Sequence, residues 1–401
     1  MSVPRDRAEA VARAAALRPA LAARALVTES ARRLPAASLA ELHEAGLFRL
    51  LQPARFGGAE LGIGALVDVS AELARACAAS AWVLANLASH HWMLGMWPEA
   101  AQDEVWGQDA NALISAALIF PAGRASPCPG GYQLSGRWGF CSGIDACDWI
   151  MLGAIVGDAS EEMDALANAG EYRLFLLPKS DCQVRDTWQV IGLCGSGSNE
   201  ASVTSIRVPE HRTLPLACTQ GGATPGSPAN PGPLYRIPLL PTFGYVVAGV
   251  ALGIAQGALD LFAIGNRKRL ASYSGRMLSD FPSVQARVAE AGACIDAARR
   301  VLDGNCADIM TDAAREGPPD LLEKARLRRD AAFAARLAKR SVDLLFDASG
   351  GAALYLAHPA QRALRDIRAV CAHIALNWDA AAATYGGIAL GHGADLPPYE
   401  R

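Results

Sequence analysis

Histidine is the side chain best suited to move a proton near neutral pH, and this sequence carries histidines in two widely separated segments that could do so. His373 lies off the apolar stripe of residues 364–388, so it can point away from the seam of a helix bundle. His90 and His91 are neighbours in another helical segment, and only one of them can face a given cleft. For His373 the alternative is a core histidine held by a backbone carbonyl.

Other reactive side chains do not form the patterns of known sites. The ten cysteines include no Cys-x-x-Cys pair, and His358 and His392 lack partners at metal-ligand spacing, so the sequence predicts no metal site. It contains no Gly-x-Ser-x-Gly elbow and no phosphate-binding P-loop. Scattered thiols are typical of a reducing compartment, and we expect a cytoplasmic protein.

Composition indicates a globular protein that neither binds nucleic acid through its net charge nor spans a membrane. The chain has 401 residues, of which 51% are hydrophobic, enough for several packed layers and more than one domain. The net charge of −3 indicates no general attraction to nucleic acid. The apolar run over residues 246–255 is too short to span a bilayer, and we expect no membrane segment.

The order of elements predicts an α+β protein in three parts. Residues 1–112 are rich in Ala, Leu, Arg and Glu, which predicts an all-α N-terminal domain. Residues 113–216 carry short β-prone runs between Gly and Pro, which predicts a central antiparallel β-barrel. After a Gly- and Pro-rich linker over residues 217–234, residues 235–401 show apolar stripes that predict a C-terminal four-helix bundle.

Several motifs resemble those of the acyl-CoA dehydrogenase family, and they occur in the same order. They are Phe56-Gly57-Gly58, the segment Gly131-Tyr132-Gln133-Leu134-Ser135-Gly136-Arg137-Trp138, Gly195-Ser196-Gly197-Ser198, Ser349-Gly350-Gly351, and Arg362 with Arg365-Asp366. Together they cover nearly the whole chain. The resemblance implies the three-part fold of that family.

The departures from the dehydrogenases concern the catalytic base. A dehydrogenase of this family removes a substrate α-proton with a carboxylate. The usual position of that Glu falls at Ile374, and the alternative position near residues 243–245 has no Glu either. These departures, the Trp138-x-Phe140-x-Ser142 strand and His373 resemble the flavin-dependent monooxygenases of the same fold. Examples are the oxygenase components of 4-hydroxyphenylacetate hydroxylase and the steroid-phenol hydroxylase, and dibenzothiophene monooxygenase.

This second resemblance implies the oxygenase component of a two-component monooxygenase. Such a protein takes reduced FMN or FAD from a separate NAD(P)H-dependent flavin reductase. It reacts the flavin with O2 to a C4a-(hydro)peroxyflavin and hydroxylates a small aromatic or heteroaromatic substrate. The reactive flavin must be shielded from water, or hydrogen peroxide is lost. A homotetramer is also implied.

The resemblance also implies roles for individual residues. The implied catalytic residues are His373, Ser142 as a hydrogen-bond donor near flavin N5, and His91 rather than His90 beside the substrate. The implied flavin contacts are Trp138, Phe140, Ser142, Arg267, Gln285, Ser349, Gly350 and Gly351, the last three through backbone N–H groups and across a subunit boundary. The implied substrate contacts are His91, Trp92, Met96 and Ile144. A core position is the alternative for Trp92, Met96 and Trp138, and a plain helix break is the alternative for Gly350-Gly351.

Two other functions stay open from the sequence. An acyl-CoA dehydrogenase using FAD predicts a tightly bound yellow flavin that an acyl-CoA bleaches. A flavin-free scaffold or binding protein predicts no thermal shift with any reduced flavin.

Overall fold

Helices precede and follow a central sheet, in the order that the sequence predicts. The computed structural model describes residues 2–157, 171–271, 274–315 and 317–392. Residues 393–401 of the predicted C-terminal domain lie outside the described residues.

Five helices form the described N-terminal part, and α4 is the most enclosed of them. Their bounds are α1 Arg7–Ala31, α2 Ala36–Glu44, α3 Ile63–Ala74, α4 Ala78–Leu94 and α5 Glu99–Trp106. α1 begins after Asp6, whose carboxylate accepts the N–H of Glu9 and satisfies one donor of the first turn. Every residue of α4 is buried, so its side chains are held firmly by their neighbours.

The central part is a mixed sheet of eight strands, which corrects the predicted antiparallel β-barrel. The strands are β1 Ile114–Ala117, β2 Gly123–Cys128, β3 Gly131–Cys141, β4 Trp149–Val156, β5 Glu171–Pro178, β6 Gln183–Arg185, β7 Asn199–Pro209 and β8 Thr213–Pro215. They lie in the order β6-β7-β3-β2-β4-β5-β8, with β1 paired to β4. β1 and β2 run parallel to β4, and β6 and β8 stay apart, so the described sheet is open. Short β-prone runs predict strands, but they carry no signal for the direction of pairing.

The end of β3 contains a bulge that directs two neighbouring side chains to different places. The register against β7 shifts between Trp138 and Cys141. Within this shift Phe140 has a φ of 62°, which residues other than glycine rarely adopt. Bulges of this kind often re-aim side chains next to functional sites. Here the Phe140 ring is 67% exposed, whereas Ser142 is buried.

Within the described residues the C-terminal part has five helices rather than the four predicted. They are α6 Leu239–Asn266, α7 Pro282–Ala313, α8 Leu321–Ser349, α9 Pro359–Cys371 and α10 Trp378–Ala389. The predicted stripe over residues 364–388 therefore covers two helices, separated by a 3-10 turn at Ile374–Leu376. His373 lies in this break and not on a helix. The apolar spacing continues across the break because both helices pack on α8.

α6 is the central apolar helix of the C-terminal part. By length and composition alone α6 could cross a membrane. The apolar run over residues 246–255 that the sequence shows is only the middle of this helix. Of its most apolar window, 61% is buried within the protein, as in a core helix. It packs closely on α3, since a Cβ at Gly253 would lie 2.0 Å from the carbonyl oxygen of Ala71. This contact joins the two helical parts in one hydrophobic core.

Candidate active site

Hydrogen bonds from three parts of the fold hold Ser142. The indole N–H of Trp82, on α4, donates to Ser142 Oγ at 2.9 Å. Ser142 Oγ also lies 2.9 Å from Ser198 Oγ, which in turn lies 2.8 Å from Ser196 Oγ. The Ser115 hydroxyl donates to the Ser142 carbonyl oxygen at 2.9 Å. Because an indole N–H only donates, Ser142 Oγ accepts from Trp82 and keeps one proton and one lone pair for Ser198 and a ligand.

The His373 ring lies against two aromatic rings. It meets Trp82 edge-on with ring centroids 5.7 Å apart, and Phe243 of α6 at 5.8 Å. His373 Nδ1 accepts the backbone N–H of Ala375 at 3.2 Å. A neutral ring then carries its proton on Nε2, as a donor towards a ligand. Burial lowers the pKa of His373 to about 4, so the ring is neutral at pH 7 and does not titrate near neutrality as its type suggests.

The two adjacent histidines of α4 face different surroundings. His90 stacks on Phe243 with ring centroids 6.5 Å apart, and its Nδ1–H donates to the Ile114 carbonyl oxygen at 2.7 Å. His91 instead meets Trp106 edge-on at 5.4 Å and is fully buried. The structure therefore brings His90, and not the predicted His91, into the group around His373. The predicted contact of His91 with a substrate stays a prediction, since both histidines are buried in the described chain.

The three histidines with lowered pKa values predict that acid destabilises the fold. Burial lowers the pKa of His90 to about 4 and that of His91 to about 3, as it does for His373. An unfolded histidine titrates near 6.5, so between about pH 6.5 and 4 the unfolded chain binds more protons and stability falls as pH falls. Burial raises the pKa of Asp366 to about 6, so this one carboxyl binds a proton more readily in the folded chain and has the opposite effect on stability.

Thermal unfolding between pH 7 and 4.5 measures this dependence. His90→Asn keeps a donor for the Ile114 carbonyl but removes one titrating ring. We expect the melting temperature of this variant to fall less steeply with acid than that of the wild type. Parallel slopes for the two proteins would contradict the assignment of a buried neutral His90.

A buried carboxylate on α9 holds the loop that precedes β7. Asp366 accepts the backbone N–H of Leu193 at 2.7 Å, and Leu193 has a φ of 52°. The Trp188 indole N–H donates to the Leu193 carbonyl oxygen at 3.0 Å, and the Trp188 ring meets Phe140 edge-on at 5.9 Å. A bulky residue at positive φ persists only where its surroundings fix it. The helix that leads to His373 thus also fixes the loop that carries Trp188, whose ring contacts Phe140.

Four other predicted contacts lie in the hydrophobic core. Trp92, Met96, Ile144 and Trp138 have no exposed surface. The Trp138 indole N–H donates to the Gly153 carbonyl oxygen at 2.7 Å, within the sheet. In the described chain these four side chains pack against protein neighbours, and their predicted contacts with substrate and flavin stay predictions.

The remaining predicted flavin residues form a second group at the far end of the bundle. They are Arg267, Gln285, Ser349, Gly350 and Gly351. Arg269 donates to the Ser349 carbonyl oxygen at 2.8 Å, and Gly350 has a φ of 68°. Along α6 this end lies about 35 Å from Phe243, at 1.5 Å per residue. Basic side chains beside exposed backbone N–H groups suit a phosphate. At this distance, however, the phosphate cannot belong to a flavin whose ring contacts Ser142 of the same chain.

Sequence reasoning missed three side chains that complete the site, namely Trp82, Phe243 and the hydroxyl of Ser198. Trp82 and His90 are two turns apart on α4, and this spacing could have indicated which histidine shares a face with the indole. Phe243 comes from a helix about 150 residues later in the chain, and no local pattern indicates its approach. Ser198 belongs to the Gly195-Ser196-Gly197-Ser198 motif, which indicated the family but suggested no role for the serine side chain.

The assembled residues fit a flat polar ring better than an acyl thioester and its base. Ile374, at the usual Glu position, is 71% exposed, and the Tyr245 hydroxyl donates to the Leu327 carbonyl oxygen at 3.0 Å. Neither position supplies a carboxylate. The Phe140 and Trp188 rings meet edge-on at 5.9 Å, and Phe140, two residues before Ser142, offers an exposed apolar surface. That combination suits an isoalloxazine, which is planar and carries polar atoms along its edge.

Comparisons with known proteins agree with this interpretation. Models of the acyl-CoA dehydrogenase N-terminal domain and C-terminal domain match residues 5–109 and 245–378. The chain is 36% identical over 374 residues to the oxygenase component of FADH2-dependent resorcinol hydroxylase from Rhizobium sp. (strain MTP-10005), covering 91% of this chain and 90% of that protein. The solved structure of 3-HSA hydroxylase from Rhodococcus sp. RHA1 has a TM-score of 0.91 at 34% identity, covering 98% of this chain and 99% of its own. XiaF from Streptomyces sp., solved in complex with FADH2 and glycerol, has a TM-score of 0.88 at 28% identity and covers 98% and 97%.

The fold, with its two helical parts and mixed sheet, is that of the acyl-CoA dehydrogenases. The chain belongs to this family, and within it to the oxygenase components of flavin-dependent monooxygenases. The resemblance inferred from the sequence motifs is thereby confirmed.

Proposed function

We propose that this protein uses reduced flavin, with FAD as the first choice, and O2 to hydroxylate a small phenol such as resorcinol. The observation that carries the proposal is that the Trp82 indole contacts both the Ser142 hydroxyl and the neutral His373 ring. A dehydrogenase would need a carboxylate in this site. The substrate class follows from the resorcinol hydroxylase relative. When bound, the reduced flavin supplies the electrons that activate O2.

The residues of the site divide the remaining work. Ser142 hydrogen-bonds the polar edge of the flavin, while Trp82 and Phe243 exclude water from the reacting face. His373 Nε2–H donates to a phenol oxygen and so favours its ionised form, which makes the ring carbons more nucleophilic. His90 carries its proton on Nδ1, so its Nε2 accepts from a second hydroxyl of the substrate. A donor on His373 and an acceptor on His90, each packed against the Phe243 ring, suit a dihydroxybenzene.

We infer that two copies of the chain complete each flavin site, within a homotetramer. The group around Arg267 and Gly350 is too far from Ser142 to hold the phosphates of the same cofactor, so a second copy supplies it. Leu354, Tyr355 and Leu356 are 70–76% exposed, and three consecutive apolar side chains in solvent are typical of a subunit interface. Sedimentation equilibrium tests this proposal, and a monomer at micromolar concentration would contradict it.

The electrons come from a separate NAD(P)H-dependent flavin reductase, with both proteins in the cytoplasm. The relatives that are named oxygenase components support this division of labour. The chain would then bind reduced flavin from solution and release it after oxidation. The two proteins need form no lasting complex, and hydroxylation should persist when a dialysis membrane separates them from each other but passes flavin.

The function is tested by supplying FADH2 from any flavin reductase, under air, with resorcinol and related phenols. We expect one additional hydroxyl group on the product and no turnover of acyl-CoA thioesters. Bleaching of a bound flavin by an acyl-CoA, without hydroxylation of any phenol, would show the dehydrogenase instead. Absence of any thermal shift with reduced FAD or FMN would favour a flavin-free protein.

A further inference from the structure

One side chain contacts both residues that the proposed function places at the flavin and the substrate. Trp82 donates its indole N–H to Ser142 Oγ at 2.9 Å, and its ring meets His373 edge-on at 5.7 Å. Trp82 is itself 5% exposed and lies on α4, a fully buried helix. Ser142 and His373 come from different parts of the chain, and Trp82 contacts both.

We propose that Trp82 is a positioning residue that sets the Ser142 hydroxyl and the His373 ring relative to each other. This inference rests on the proposed function, because it concerns the same site. Nothing in the sequence motifs or in the relatives' names assigns such a role to this tryptophan.

The hydrogen-bonding capacity of Ser142 shows how the indole acts. A serine hydroxyl rotates freely unless its neighbours fix it. The Trp82 indole N–H donates to one lone pair of Ser142 Oγ, and because an indole N–H cannot accept, the direction of this hydrogen bond is fixed. The Ser198 hydroxyl occupies a second position around Ser142 Oγ. One direction then remains for a ligand. Without the indole N–H, Oγ has several directions of similar energy, and the contact with a ligand is no longer prepared in advance.

The same indole limits the movement of His373. The break between α9 and α10 leaves this ring on a short turn, where Phe243 and Trp82 provide its aromatic contacts. Edge-on packing fixes the ring plane and therefore the direction of Nε2–H. Trp82→Phe keeps an aromatic ring beside His373 and removes the N–H that Ser142 Oγ accepts, together with part of the indole ring, so a control with the same loss of ring volume is needed to isolate the effect on Ser142.

The test measures binding of reduced FAD without oxygen, and then the share of consumed O2 that appears as hydrogen peroxide. We expect Trp82→Phe to weaken reduced-FAD binding about fivefold, the usual value of one neutral hydrogen bond, and to raise the peroxide share. Trp97→Phe is the matched control. It removes a buried indole N–H that has no hydrogen-bond partner in the described structure, and it should change neither quantity.

A double variant separates positioning from general packing. If Trp82 acts through Ser142, then Trp82→Phe adds nothing to Ser142→Ala in either measurement, whereas independent effects would multiply. A full additional effect in the Ser142→Ala background would overturn the inference. If Ser142→Ala alone changes neither binding nor peroxide release, the role of Ser142 in the proposed function fails instead. The melting temperature of each variant shows whether loss of structure explains the result.

Discussion

Replacing His373 with Asn is expected to lower hydroxylation about 100- to 1000-fold, the usual effect of removing one donor that stabilises a developing oxyanion. The Asn side chain can accept the Ala375 N–H as His373 Nδ1 does, so the turn before α10 keeps its hydrogen bond. It lacks the Nε2–H that reaches the substrate. Oxidation of reduced flavin by O2 should continue, so the variant should release hydrogen peroxide. The measurement is product and peroxide formed per flavin oxidised.

His358 provides a matched control for this variant. Its Nδ1 accepts the backbone N–H of Ala360 at 3.2 Å, the same local arrangement, at the beginning of α9. His358→Asn should therefore leave hydroxylation within a factor of about two of the wild type, because it changes one partly buried hydrogen bond of small net energy. Wild-type hydroxylation by His373→Asn would contradict the proposed role of the imidazole.

Ser142→Ala is expected to raise the share of O2 released as hydrogen peroxide and to weaken reduced-flavin binding about tenfold. The substitution leaves the Trp82 indole N–H without its acceptor and removes the hydroxyl that faces the ligand. Both changes loosen the flavin and let water reach it. Peroxide release during steady turnover and the anaerobic dissociation constant give the two readouts.

Ser70→Ala is the control for Ser142→Ala. Ser70 is equally buried, lies on α3, and its hydroxyl has no hydrogen-bond partner in the described part of the chain. Its removal should leave the coupling of O2 to product unchanged. Equal peroxide release from both variants would mean that the effect comes from weakened packing and not from the Ser142 hydroxyl.

Local patterns were sufficient to predict the order of the structural parts, and they also single out Ser142 and His373, which the structure brings together at Trp82 and whose roles stay proposals. The Gly- and Pro-punctuated strands and the long apolar stripes placed the sheet between two helical parts, as observed. Ser142 follows a recognisable strand motif, and His373 stands next to the family position of the base. The order of the parts is predictable because each part depends on the preferences of consecutive residues, which the rest of the fold does not override.

Features that depend on distant contacts could not be predicted in the same way. The parallel pairing of β1 with β4 joins strands separated by two others, and strand composition does not encode it. The choice between His90 and His91 depends on Phe243, which approaches from α6. The pKa of His373 depends on how deeply two aromatic rings cover it, and the sequence suggested an unperturbed value. Burial of Trp138 and Trp92 follows from close packing around them.

The measurement that tests the central claim most directly follows isotopically labelled O2 into the product formed from resorcinol and enzymatically supplied FADH2. A protected site with neutral His373 and Ser142 around the flavin predicts one labelled oxygen atom in each new hydroxyl group. His373→Asn should form far less of this labelled product. A hydroxyl group whose oxygen comes from water, or dehydrogenation of an acyl thioester with no oxygen incorporated, would contradict the account.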